Sequence, residues 1–158
     1  MTAPLLTEDV VRFMLSGVSI SVASRDVRRV PSLARAAGCR VNAGEVTVLL
    51  LPAQARQLLA DISASGMVAV VFSSPSTNRT LQIKGRLQYI QAASSDDVAA
   101  AVQHREAFAE GIIPLGYAHD LAYAVHCRDN VDLMAVRFAP TDVFEQTPGP
   151  KAGTRLAQ

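Results

Sequence analysis

The densest set of reactive groups in this chain is His119, Asp120, His126 and Cys127, which offers imidazole, carboxylate and thiol groups, the side chains that bind zinc. If both histidines lie on one helix they are about two turns, roughly 10.5 Å, apart, whereas ligands of one metal sit about 2 Å from the ion. That pair therefore does not hold a single metal, and no metal site is expected. His104 lies among charged residues and is expected to be solvated. Cys39 and Cys127 are too few for a secreted disulfide scaffold and read as reduced, buried thiols. No Ser/His/Asp or Cys/His order has a nucleophile context, and no Gly-rich phosphate loop follows a strand, so hydrolase and nucleoside-triphosphatase chemistry is set aside and no catalytic residue is nominated.

The elements that must position any site are legible in the periodicity. Thr7 followed by Glu8 and Asp9 reads as a helix N-cap with acidic residues in the first turn, which places a leading helix within residues 1–15. Val18, Ile20 and Val22 alternate with Ser19, Ser21 and Ala23 as a half-buried strand, and Arg25-Asp26-Val27-Arg28-Arg29 reads as a polar turn. Strands are expected at Ser32 to Ala37 and Val46 to Leu51, the latter apolar on both faces and deeply buried. Pro52 opens a helix that Ser65-Gly66 stops, and Met67 to Phe72 is a continuous apolar strand. In Thr80 to Ile90, Leu81, Ile83, Leu87 and Tyr89 face one way, Thr80, Gln82, Lys84, Arg86 and Gln88 the other, and Gly85 permits a bend or close approach. Ser94 or Ser95 caps a helix closed by Gly111, a further helix spans about Leu115 to Cys127, and a polar Arg128-Asp129-Asn130 turn precedes a last strand from Val131 to Phe138. Residues 140–158 form a tail, and its Gln146 to Gly153 stretch is too rich in Pro and Gly for regular structure.

The expected fold is therefore mainly β with helices, α+β in class, with six mostly antiparallel strands closing into a small barrel. Consecutive strands at the start argue against a doubly wound parallel sheet. At 158 residues the chain has the size of one domain, 1–158. A hydrophobic fraction of 49% with a net charge of +1 supplies core material but no basic excess, so neither nucleic acid nor an anionic membrane is an expected partner. No apolar run reaches the roughly 18 to 20 residues of a spanning helix, and no basic segment followed by an apolar stretch opens the chain, so the expected location is the cytoplasm. Asn78-Arg79-Thr80 matches a glycosylation sequon by chance. Low aromatic content leaves a small-molecule site to aliphatic walls and a few polar groups.

The alternating first strand, the turn ending in Arg29-Val30-Pro31, the helix after the third strand and Arg79-Thr80-Leu81-Gln82-Ile83-Lys84-Gly85 in a long later strand together resemble the pyridoxamine 5'-phosphate oxidase-like split barrels that bind FMN. The resemblance spans roughly Val10 to Phe138 and is strongest from Gly66 to Gly85. It implies a homodimer with FMN between subunits, and a flavin-dependent oxidoreductase acting on a small molecule. Two departures accompany it. Where the family's oxidases hold the flavin phosphate with an arginine and a lysine on the second strand, this chain has Ala34 and Cys39, and the family's Ser-Arg-Lys turn reads Ala53-Gln54-Ala55. Arg35 and Arg56 stand one place from expected positions, Arg79 matches the family's arginine, and Thr80 replaces a glutamine that often bonds the ring.

On that resemblance Arg35, Arg56, Arg79 and Lys84 form an anion-binding group, or else are surface charges, while Thr80 and Gln82 bond the flavin edge, or else line a wet strand face. The substrate-binding C-terminal motif of true pyridoxamine phosphate oxidases is missing, so vitamin B6 oxidation is not expected. The competing reading is a non-catalytic dimer that has lost the phosphate clamp and binds another ligand, such as a haem with His104, His119 or His126 as an axial ligand, or none.

Overall fold

The computed structural model describes residues 4–125 and 132–157. Its elements, in chain order, are α1 (Glu8–Met14), β1 (Ser19–Arg25), β2 (Pro31–Arg35), β3 (Gly38–Asn42), β4 (Glu45–Leu50), α2 (Pro52–Ser65), β5 (Met67–Ser73), β6 (Thr80–Ala92), α3 (Ser95–Ile112), a 3-10 turn at Ile113–Leu115, α4 (His119–Val125), β7 (Met134–Glu145) and β8 (Arg155–Ala157).

Side chains satisfy orphan backbone groups at the starts of α1 and α3, whereas α2 is bounded by a proline and a glycine. Thr7 Oγ1 accepts from Val10 N–H at 3.4 Å at the start of α1. Pro52 opens α2, and Gly66, at φ 66°, closes it. At the start of α3, Ser94 and Asp97 exchange hydrogen bonds as a capping box. Each of these is a short-range pattern. The end expected for the last helix, together with His126, Cys127 and the Arg128-Asp129-Asn130 turn, falls outside the described residues.

Every described strand pairing is antiparallel, and the sheet runs β2-β1-β5-β6-β7-β4-β3, with short β8 added to β7. The α+β fold expected from sequence is present, with more strands than the six anticipated. One extra strand is β3, which follows β2 after a break at Ala36-Ala37 and turns through Asn42-Ala43-Gly44 into β4. Buried Ala34, Ala36, Ala37 and Cys39 make the two strands look like one apolar run in sequence. The last large strand also continues past Phe138 to Glu145. It passes Pro140 beside a bulge, where Lys84 pairs with Asp142 and Gly85 with Pro140, leaving Thr141 as the extra residue.

The sheet curls so that one face forms the core. Register places Ile20, Phe72 and Leu81 in one cross-strand row and Val22, Val70, Ile83 and Val143 in the next, all buried. Val46, Val48 and Leu50 of β4 join them, as do Leu58 and Ile62 of α2 and Phe13 and Met14 of α1. Leu49, on the opposite face of β4, packs with Ala101 of α3 and Ala135 of β7, so β4 is buried on both sides as its sequence suggested. Asp61 of α2 fixes the helix to β2 by accepting from Ser32 Oγ at 2.6 Å and Gln57 Nε2 at 2.9 Å while only 5% exposed. Asp61→Ala is expected to cost about 2 kcal/mol in denaturant unfolding, the scale of a buried charged hydrogen-bond group, and an unchanged midpoint would contradict that joint.

Candidate cofactor face

The other face of β1, β5 and β6 lies open in the single chain. Because side chains alternate along a strand, register alone determines which residues meet there. One row runs Ser19, Ser73, Thr80. The next runs Arg35, Ser21, Val71, Gln82, Phe144, and the third Leu33, Ala23, Ala69, Lys84, Asp142. Its middle is a floor of small or short side chains, Ser21, Ala23, Ala69 and Val71, all half-buried. β5 is continuously apolar in sequence, yet its burial alternates, and Met67, Ala69 and Val71 face this floor.

Four of the six residues nominated from sequence border that floor. Arg35 lies exposed on β2, with Nη1 donating to Ser19 Oγ at 2.7 Å. Thr80 pairs its hydroxyl with Ser73 Oγ at 2.8 Å, donates it to Asn78 O at 3.0 Å, and is held by its N–H donating to Thr147 Oγ1 at 2.9 Å. Gln82 stands between Val71 and Phe144. Lys84 Nζ lies over the Phe144 ring, 4.9 Å from its centroid.

The remaining two are elsewhere. Arg79 is ion-paired with Asp9 of α1 and stacks over Phe13 at 4.5 Å, so it anchors the leading helix. Its guanidinium holds the Asp9 carboxyl below the ordinary carboxylate value through hydrogen bonding and charge. Arg56 is exposed on α2, the helix joined through Asp61 to Ser32, and Ser32 points to the opposite side of β2 from Arg35. The anion-binding group of Arg35, Arg56, Arg79 and Lys84 is therefore not one cluster within this chain.

Sequence reading missed the basic end of the face. Arg25, Arg29 and Arg86 join Lys84 around a cavity of about 400 Å³ floored by Ala23, Ala69 and Gly85. Part of the signal was in the alternation, which places Arg86 on the same side of β6 as Lys84. Arg25 and Arg29 read only as a polar turn, because strand register, not sequence distance, brings β1 beside β5 and β5 beside β6.

The other candidates lie away from this face. His104, expected to be solvated, is only 4% exposed, because the side of α3 that carries it with Ala101 and Phe108 is the buried one. One ring nitrogen, Nε2, sits 2.8 Å from Val18 O, and burial holds the imidazole below its ordinary pKa of 6.5 despite that bond. It does not reach the open face as an axial ligand. His119 stands 3.7 Å from Glu106 on the α3–α4 side. Cys39 is buried with its thiol near Met14 O, and burial pushes its pKa up to about 12, which leaves it protonated and inert. Among the described residues no three His, Cys, Asp or Glu side chains gather as a metal site, and no helix is long and apolar enough to cross a membrane.

No family model matches the sequence, and no curated protein matches it. Solved structures match the fold. An FMN-binding protein from Syntrophomonas wolfei superposes with a TM-score of 0.56 at 8% identity, covering 88% of this chain and 84% of the other. A candidate pyridoxamine 5'-phosphate oxidase from Lactobacillus delbrueckii gives 0.53 at 15% identity, covering 91% and 99%. A haem storage protein from Vibrio cholerae gives 0.50 at 13% identity, covering 89% and 94%. At these identities the likeness is one of fold.

Proposed function

We propose that this chain, which has the pyridoxamine 5'-phosphate oxidase-like split-barrel fold, holds FMN on the open face of β1, β5 and β6 and serves as a flavin-dependent oxidoreductase for a small molecule other than a B6 vitamer. The observation that carries the reading is the floor of Ser21, Ala23, Ala69 and Val71, whose short side chains leave the sheet accessible and which Gln82, Arg35 and Lys84 border. Small residues leave a planar ring room to lie against the sheet, Gln82 can bond its polar edge, and Arg35 or Lys84 can pair with phosphate. FMN, when bound, carries the electrons or hydride. The protein's part is to bind, orient and exclude water, so no side chain on this face need act as acid or base. The homodimer implied by the family resemblance would cover the half-buried floor, and a cytoplasmic location belongs to the same reading.

A haem reading gains nothing from His104, whose ring is enclosed between α3 and the start of β1. The test is a titration with FMN followed by quenching of flavin fluorescence. Saturable binding near about 1 to 10 μM is expected, weakened about tenfold by Arg35→Ala or Lys84→Ala and unchanged by Arg56→Ala. No quenching up to several hundred micromolar, on the order of 5 kcal/mol of affinity or less, would leave a split barrel without a flavin.

A further inference from the structure

We infer that the outer edge of β2 binds an extended acidic segment of a partner protein, which adds to the sheet as one more strand. The sheet ends at β2 and β3, and the two ends differ. At β3, α3 packs so closely on Gly38 that a Cβ there would lie 3.1 Å from Ala101 Cα, and Arg40 is bonded to Asp97 of the same helix. Among the described residues β2 pairs with β1 alone, and Pro31, Leu33 and Arg35 are exposed. The bonds to β1 determine which backbone groups are left over. Asp26 N–H donates to Val30 O and Ala36 N–H to Ile20 O, each at 3.0 Å, with Ser32 and Ala34 between them in register with Ser24 and Val22. Bonded pairs alternate along an antiparallel ladder, so Val30, Ser32, Ala34 and Ala36 turn their backbone groups toward β1, while Pro31, Leu33 and Arg35 turn theirs outward. No described residue meets those outward groups. The edge therefore offers the N–H groups of Leu33 and Arg35 and the carbonyls of all three, which an incoming strand satisfies.

The side chains point to the same occupant. Val27, Leu33 and Val30, at 92%, 69% and 56%, are the most exposed large apolar residues among those described. Leu33 stands on the open face, and Val30 on the opposite side, that of Ser32 and α2. A lipid surface or the side of a globular partner covers one side of an edge strand, whereas an added strand, with side chains that alternate, covers both. Arg28 and Arg29 lie at one end of this edge and Arg35 at the other. None of the three pairs with a carboxylate among the described residues, while Arg40, Arg79, Arg137 and Arg155 each do. Asp26, the acid of the turn, is committed to it, its Oδ1 accepting from the N–H groups of Arg28 and Val30, each at 2.8 Å. A second copy of the chain would bring the same arginines to both strands; glutamate or aspartate on the incoming strand pairs with them instead. The inference stands whether or not a flavin binds, because it uses the edge of β2 and not the floor between β1 and β6.

The probe is a short capped peptide alternating glutamate and valine, titrated into the full chain and followed by amide NMR and hydrogen exchange. Without peptide the amides of Leu33 and Arg35 are expected to exchange fast and those of Ser32 and Ala34 slowly; the peptide should slow the first pair at least about tenfold. Expected affinity is tighter than about 0.5 mM, at least about tenfold better than for the same peptide with lysine in place of glutamate, and lost when alternate peptide nitrogens are methylated. Arg28→Glu should weaken binding about threefold or more, and Leu33→Pro, which removes an outward N–H and leaves the ladder to β1 intact, about tenfold. Should Leu33→Pro fail to fold, the methylated peptide reads the same main-chain bonds with the protein unaltered. No binding up to about 5 mM, equal binding of the acidic and basic peptides, binding that survives methylation, or no slowing at Leu33 and Arg35 would overturn the proposal. So would protection of Leu33 in the peptide-free chain that grows with protein concentration, which would give the edge to a second copy, or binding to phosphatidylserine vesicles with none to the peptide, which would give it to a membrane.

Discussion

Gly85→Val is expected to lower thermal stability by about 3 kcal/mol or more, roughly 10 °C for a chain of this size. Gly85 is buried where β6 meets the bulge in β7, and a Cβ there would lie 2.4 Å from Ala139 O and 2.4 Å from Phe138 Cδ2. Neither neighbour can give way cheaply, since one is backbone and the other a core ring with no exposed surface. Gly85→Ala should cost about 2 kcal/mol by the same contact. Gly111 provides the control. It lies in α3 with nothing within 4 Å of its Cβ position, so Gly111→Ala should leave stability unchanged or raise it by about 0.5 to 1 kcal/mol. Calorimetric melting of the three variants checks the order; a Gly85→Ala melting point equal to that of the parent would mean that the two strands do not approach as closely as described.

Asp97→Ala is expected to destabilise the chain by about 2 to 3 kcal/mol, because it removes a helix cap and a part-buried ion pair together. Asp97 is 4% exposed. Its Oδ2 accepts from Ser94 N–H and Ser94 Oγ, each at 2.9 Å, and its Oδ1 accepts from Arg40 Nη1 at 2.9 Å, which ties α3 to β3. Without it Arg40 keeps only the longer contact to Asp96, at 3.9 Å. Burial raises the Asp97 pKa, but the bonds from Ser94 and Arg40 outweigh it and hold the carboxyl below its ordinary value of 3.8. A carboxyl whose folded pKa lies below its unfolded one stabilises fully above the unfolded value and loses that contribution as pH falls through the folded one. The stability gap between the parent and Asp97→Asn should therefore be full at neutral pH and shrink below about pH 4. His104 titrates differently. Its folded pKa is lowered by burial, so its charging destabilises the chain as pH falls below 6.5, equally in both proteins. Urea midpoints measured across that range separate the two, and a gap that stays constant down to pH 3 would remove Asp97 from the acid response.

The candidate site was half legible. Thr80, Gln82 and Lys84 were nominated on the family resemblance and set on one side of a strand by alternation, and the structure keeps them on one face because pleating enforces it. Arg79 belongs to the same sequence motif, yet it turns to Asp9, seventy positions away, since attraction to a nearby carboxylate is set by the fold and not by the motif. His104 was misplaced for a related reason: its neighbours in sequence are charged, but the side of α3 it shares with Ala101 and Phe108 packs inward.

What the amino-acid order determined by itself is local chemistry. The Thr7 and Ser94 caps, Pro52 and Gly66 at the ends of α2, and the alternation of β1 and β6 all arise between residues a few positions apart, where backbone geometry leaves few choices. Only the tertiary structure decided that β2 and β3 are two strands, that β7 passes Pro140, and that Arg25, Arg29, Lys84 and Arg86 surround one cavity. Those outcomes depend on strand register. Register is settled by burying Ile20, Phe72, Leu81 and their neighbours in a single core, a condition on the whole chain that no short stretch of it contains.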